Sequence, residues 1–176
     1  FEVTGFAQYM VPMVDIDGAA YCVLTNLHIH HSKTGYGYGH GLRFKTSQRC
    51  ALASSRMENH QYYGVTTAGK SGGLTLDRCL MANGQYGFSL NDSPNPRIRS
   101  CVFTNLTTAA VYLYNGDTTA WIDNCTFVNV YRALSLSIDP SNIAVLRNCI
   151  ASGVTRVGEE GHTQGNIQFF TNCFWN

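Results

Sequence analysis

The sequence predicts an all-β fold wound as a parallel solenoid of about seven coils of 22–28 residues. Three observations carry that reading. Five of the seven cysteines fall at Cys79, Cys101, Cys125, Cys149 and Cys173, at spacings of 22, 24, 24 and 24 residues, and self-similarity at such a period marks a repeat architecture. Asn or Gly recurs four residues after this position, at Asn59, Asn83, Asn105, Asn129 and Gly153. The segments between these marks alternate apolar and polar residues with period two, without a helical pattern.

The first strand of each coil is framed by a large apolar residue three before the cysteine (Leu76, Ile98, Ile122, Leu146, Phe170) and by Met81, Phe103, Phe127, Ala151 or Trp175 two after it. The frame extends backward with Ser55 between Leu52 and Met57, and with Leu27 between Leu24 and Ile29, which makes seven registers with insertions near residues 32–50. Asn and Gly tolerate left-handed backbone, so their column reads as a turn. Stacked Asn side chains can also bond along the stack. A second strand follows in Phe88 and Leu90, Val111 and Leu113, and Leu134, Leu136 and Ile138. Turn punctuation then closes each coil, at residues 91–96, 115–117 and 139–142. Residues 1–21 are read as an N-terminal strand or lead-in segment and 22–176 as the repeats.

Composition narrows the function classes. Lys and Arg (12) nearly balance Asp and Glu (11), and charged residues are only 13% of the chain, which with no basic run argues against nucleic acid as a partner. The 21 aromatic residues are ample core material for a folded chain. No apolar stretch approaches the roughly 18 residues of a membrane span, and no signal peptide is visible. A start at Phe1 suggests a processed product or a fragment. Phe169, Phe170, Phe174 and Trp175 crowd the last register, where no second strand follows, so a further domain or a homo-oligomer is expected to cover that edge.

The segment Ile122-Asp123-Asn124-Cys125-Thr126-Phe127-Val128-Asn129 and its counterparts resemble the right-handed parallel β-helix repeat proteins, the pectate-lyase-like superfamily that includes polysaccharide lyases and phage tailspikes. The resemblance covers residues 22–176. Leu74-x-Leu76-x-x-Cys79-x-Met81 also fits a leucine-rich repeat, but Ser71 and Asp117 stand where that motif needs a preceding Leu. The β-helix implies an elongated, polysaccharide-facing surface and an extracellular, secreted or virion-surface location.

Parallel coils stack about 4.8 Å apart, so columns of residues can be read as surfaces. The Cys column alternates with apolar partners and is expected to face inward as reduced, packed thiols, with Cys22 and Cys50 as neighbours in another column. Two before the cysteines stand Asp77, Arg99, Asp123 and Arg147, outward and alternating in sign. They form an ion-pair ladder or, by the resemblance, the basic and acidic groups of a lyase or hydrolase. His28 and His30 flank the inward Ile29 and are the other catalytic candidates, with His40. A two-His metal site is geometrically possible, but no acidic or Cys ligand lies at a suitable spacing, so no metal is expected. Gly39-His40-Gly41, followed by Arg43-Phe44-Lys45, is similar to fragments of the polygalacturonase signature. That family's paired aspartates find only Asp15 and Asp17 here, and its activity is not carried over.

Tyr36, Tyr38, Tyr62, Tyr63 and Tyr86 offer aromatic faces on which sugar rings can stack while Asn, Thr and Asp bond the hydroxyls. No cofactor is expected; calcium at Asp92, Asp117 and Asp139 competes with their ordinary use as turn residues. The expected role is a polysaccharide-binding or display module. The alternatives are a polysaccharide lyase or glycoside hydrolase, and a purely structural segment of a fibre.

Overall fold

The computed structural model describes residues 2–6, 12–33, 39–115, 119–137, 141–160 and 166–175. Every strand pairing among them is parallel, and no helix occurs among them. One wall is a seven-stranded sheet, in which Leu24, Leu52, Leu76, Ile98, Ile122, Leu146 and Phe169 lie in register. Successive steps of 28, 24, 22, 24, 24 and 23 residues therefore make about six full turns from seven stacked rungs, slightly fewer than the seven coils expected. The other walls belong to a 13-stranded sheet whose strands Leu80–Asn91 and Val102–Tyr114 run through the corner between two faces. Glu2–Phe6 and Pro12–Asp17 pair with His28–Lys33 and His40–Lys45, so residues before Tyr21 also join the stack.

The corners are where sequence and backbone meet most directly. Asn59, Asn83, Asn105, Asn129 and Gly153 have φ of 53, 56, 53, 51 and 62°, with His31 at 60° in the same column. Asn105 Nδ2 donates to Asn83 Oδ1 at 3.1 Å, a rung of the expected Asn ladder. A second left-handed column lies one residue before the cysteines, at Asn26, Ser54, Arg78, Ser100, Asn124 and Asn148. Arg78 and Ser54 hide that turn from a reading based on Asn and Gly alone.

The core is the stack of inward residues. Leu52, Leu76, Ile98, Ile122 and Leu146 are fully buried, as are Phe103 and Phe127, whose rings lie 5.3 Å apart at 11°. Cys79, Cys101, Cys125 and Cys149 are buried and unbridged. They do more than pack. Cys101 Sγ donates to Arg99 O at 3.2 Å and accepts the backbone N–H of Cys79 at 3.4 Å. Ser55 does the same two coils earlier, donating to Ala53 O and accepting from Leu27 N. The column thus satisfies corner N–H groups, those of Cys79 and Leu27, that the sheets leave unpaired, which explains why Ser and Cys exchange there. Cys101→Val, which stays apolar, removes both bonds and adds one methyl group, is expected to lower the unfolding free energy by about 1–2 kcal/mol. Cys101→Ser should cost less, and urea denaturation compares them.

Cys173 departs from the expected column. The last step is 23 residues, so Phe170 pairs with Arg147, Cys173 with Ile150, and Asn172 takes the cysteine place. Asn172 Oδ1 accepts from Cys149 N at 2.8 Å and its amide donates to Leu146 O at 3.0 Å, so amide chemistry replaces the thiol. The one-residue shift turns Phe170 outward and leaves Cys173 exposed, with Phe169, Phe174 and Trp175 also exposed.

Candidate functional site

The second face of the solenoid gathers tyrosines from successive coils. Tyr63 and Tyr86 are partners in register, and Tyr112 and Tyr114 follow on the next strand. Ring centroids are 4.2 Å apart for Tyr62–Tyr63, 5.2 Å for Tyr63–Tyr86, 5.2 Å for Tyr86–Tyr112 and 5.7 Å for Tyr112–Tyr114, making one continuous aromatic row. All five are half-buried. Burial pushes the Tyr63 and Tyr86 phenols up, so both stay neutral donors. Tyr36 and Tyr38 lie outside the described residues.

Beside this row opens a cleft of about 330 Å³ lined by His40, Arg43, Tyr62, Tyr63, Thr66, Thr67, Ala68, Ser89, Asn91 and Tyr114. His40 stands edge-on to Tyr63 at 5.0 Å. Burial, reinforced by the nearby Arg43 charge, lowers its pKa to about 4, so it is neutral near pH 7. Two buried polar atoms of the lining, His40 Nε2 and Asn91 Oδ1, have no hydrogen-bond partner. Native interiors rarely leave such atoms unmatched. A small rotation of either side chain toward the cleft would present that atom to a hydroxyl-bearing ligand. The Asn91 backbone itself is held, its N–H donating to Thr67 Oγ1 at 2.7 Å and its carbonyl accepting from that hydroxyl at 3.0 Å.

The cation of the cleft lining, Arg43, is balanced from outside it. Arg43 forms a bidentate pair with Asp15, with Nε to Oδ1 at 3.0 Å, and Lys45 pairs with Asp17 at 2.7 Å. Asp15 and Asp17, the only residues able to match the polygalacturonase pair, are thus bound to cations. No carboxylate lines the cleft among the described residues.

The Asp–Arg column is outward as expected, and the contacts are local pairs. Asp77 accepts from Arg99 and from Arg78, each at 3.1 Å, and Asp123 receives both Nε and Nη2 of Arg147, at 2.7 and 3.0 Å. Arg147 also lies 5.0 Å over the Trp121 ring, and Arg97, Trp121, Asp123 and Arg147 border a smaller cleft of about 240 Å³. Of the calcium candidates, Asp92 is a left-handed turn residue at φ 47°, and Asp117 and Asp139 lie outside the described residues.

The histidines on the first face acquire partners that local spacing hid. His28 Nε2 is 2.8 Å from Glu58 Oε2 and His30 Nε2 is 2.5 Å from Glu2 Oε1. Both carboxylates come from neighbouring coils, in the registers Glu2↔His28 and His30↔Glu58. The coil period could have located them, as it could have added Tyr112 and Tyr114 to the aromatic row.

The comparisons with known proteins agree with this architecture. Residues 12–176 match the family described as the right handed beta helix region. No curated protein matches by sequence. Among solved structures, Geobacillus virus E2 ORF18 is similar with a TM-score of 0.75 at 13% identity, over 99% of this chain and 37% of that one. The pectin methylesterase of Aspergillus niger is similar with a TM-score of 0.56 at 10% identity, over 99% and 77%. The Streptococcus pneumoniae surface protein and adhesin PfbA is similar with a TM-score of 0.50 at 13% identity, over 98% and 64%. The chain therefore spans little more than a third of the virus protein's length. At these identities the likenesses speak for the fold alone, and the match over residues 12–176 means that the chain belongs to the right-handed β-helix family.

Proposed function

We propose that the protein is a polysaccharide-binding β-helix module of an extracellular or virion surface, and that it holds a glycan along the tyrosine row. The observation that carries the reading is the pairing of that row with a cleft in which His40 Nε2 and Asn91 Oδ1 are buried and unmatched. A sugar has an apolar face to lie on an aromatic ring and hydroxyls that both donate and accept. Because Asp15 neutralises Arg43, the charged residue of the lining, the cleft suits a neutral glycan better than a polyuronate. Likeness to a virus protein and to a surface adhesin supports the location.

Enzymatic readings have less support. A hydrolase of the usual two-carboxylate kind needs acidic groups on both sides of the scissile bond, and none lines the described cleft. A lyase needs an available base, whereas Arg99 and Arg147 are tied to Asp77 and Asp123. Calorimetric titration of neutral and uronate oligosaccharides tests the proposal. Binding of a neutral oligosaccharide is expected, with Tyr86→Ala and Asn91→Ala each weakening it about tenfold, on the order of 1–2 kcal/mol. Arg99→Ala should leave affinity unchanged. Absorbance from unsaturated products, or hydrolysis of any glycan in the panel, would replace binding by catalysis.

A further inference from the structure

We propose that Glu2, His28 and His30 form a site for a first-row transition dication such as zinc, with Glu58 as the carboxylate that orients His28. The site lies on the first face, apart from the tyrosine cleft, and does not depend on the glycan reading. Its geometry follows from the stack. His28 and His30 flank the buried Ile29 and so project from the same outer surface, with ring centroids 4.6 Å apart. The strand Glu2–Phe6 pairs alongside in the register Glu2↔His28, and Glu2 reaches diagonally to His30. One donor atom from each of the three residues lies within 4.8 Å of the others. Four-coordinate zinc with bonds of about 2.0–2.1 Å holds its donors roughly 3.3 Å apart, so small rotations of side chains at the surface close the set.

The surroundings are those of a ligand set and not of a bare surface cluster. Glu58 accepts a hydrogen bond from His28 Nε2 at 2.8 Å while Arg56 holds its other oxygen at 2.9 Å. Glu58 is mostly buried, with 17% of its side chain exposed. With the proton on His28 Nε2 donated to the Glu58 carboxylate, the lone pair of His28 is on Nδ1, which is the carboxylate–histidine–metal arrangement that fixes tautomer and ring orientation. Bonded to the ion, His30 Nε2 surrenders the proton it shares with Glu2 to solvent, and its Nδ1 faces His31 Nδ1 at 2.5 Å. Two imidazoles and one carboxylate suit zinc, nickel, cobalt or copper, whereas calcium wants six or more oxygens. Bound metal would tie Glu2 to a strand 26–28 residues later and so clamp the first coil onto the second.

The test titrates tag-free chain with zinc by calorimetry and with cobalt by absorbance, following the thermal midpoint in parallel. One ion per chain is expected, with a raised midpoint and a cobalt spectrum that lacks thiolate charge-transfer bands. Glu2→Gln and His28→Gln/His30→Gln should abolish saturable binding, and Glu58→Gln should weaken it tenfold or more. Cys173→Ser should leave binding unchanged. The proposal fails if the unaltered chain binds no ion saturably, if binding survives in the double histidine variant, or if thiolate bands show that cysteines hold the metal. Should a variant lose its β-sheet circular dichroism, histidine NMR of the unaltered chain decides: zinc must shift His28 and His30 and leave His60 in place.

Discussion

Replacing Phe103 with Ala is expected to cost about 3–5 kcal/mol of unfolding free energy, among the largest effects of a single truncation in this core. Phe103 is fully buried and stacks on Phe127, and it also lies against the backbone of the next strand over. A Cβ built on Gly87 would come within 2.7 Å of its ring. A cavity there cannot collapse easily, because the parallel ladders on both sides hold the coil spacing. Since Gly87 follows Tyr86, the same void undermines the aromatic row. Phe103→Leu, which refills much of the space, should cost well under half as much. Urea unfolding of both variants checks this. A loss near 1 kcal/mol for the alanine would mean that the coils close up freely, contrary to the rigid stacking described here.

Acid should destabilise the protein through His60 before most carboxylates titrate. His60 is buried at 3% exposure between Gly64 and Gly84, and its Nε2 donates to Tyr86 O at 2.8 Å. A Cβ on Gly84 would fall 2.1 Å from that nitrogen, so the glycine is what makes room for the ring. Burial lowers the His60 pKa to about 4 against an ordinary 6.5, partly opposed by the bond to Tyr86. Between those values the unfolded chain binds a proton that the folded chain refuses. Stability is therefore full above about pH 7 and falls as pH drops from about 6.5 toward 4, by about 3 kcal/mol from this residue. His40, lowered to about 4 as well, adds in the same direction, less strongly because its ring borders the cleft. Denaturation midpoints at pH 7.5 and 4.5 measure the slope. His60→Gln, whose amide can still donate to Tyr86 O, should remove most of the His60 share, and an unchanged slope would assign the loss to other groups.

The candidate site was partly legible. Tyr62, Tyr63 and Tyr86 could be recognised because aromatic residues near turns in adjoining coils are visible in a list. Tyr112 and Tyr114 do not stand out in the chain, since they alternate with Val111 and Leu113 like any strand residues. Asn91 and Thr67 looked like turn and strand residues, and their place at the cleft depends on a bond across 24 residues. Glu2 was invisible as a partner of His30 for a similar reason. Local spacing cannot report it, but the register of parallel strands does. In the Asp–Arg column, alternation of sign was plain in the chain, whereas the choice of partner required side-chain directions.

What the sequence by itself determined is the solenoid: period-two strands, Asn and Gly corners and a recurrent Cys or Ser column leave few other ways to bury the apolar residues. These are local requirements, of φ at a corner and of alternation along a strand, and each repeats often enough to be read through noise. Only the tertiary structure decided the register at each rung. The last coil shows why: a step of 23 residues moves Cys173 out of the column and puts Asn172 in it, because the buried backbone groups at that corner accept an amide as readily as a thiol. Which polar atoms end up unmatched, as His40 Nε2 and Asn91 Oδ1 do, follows from that three-dimensional registration. Neither residue alone carries the information, because burial and partnership are properties of neighbouring coils.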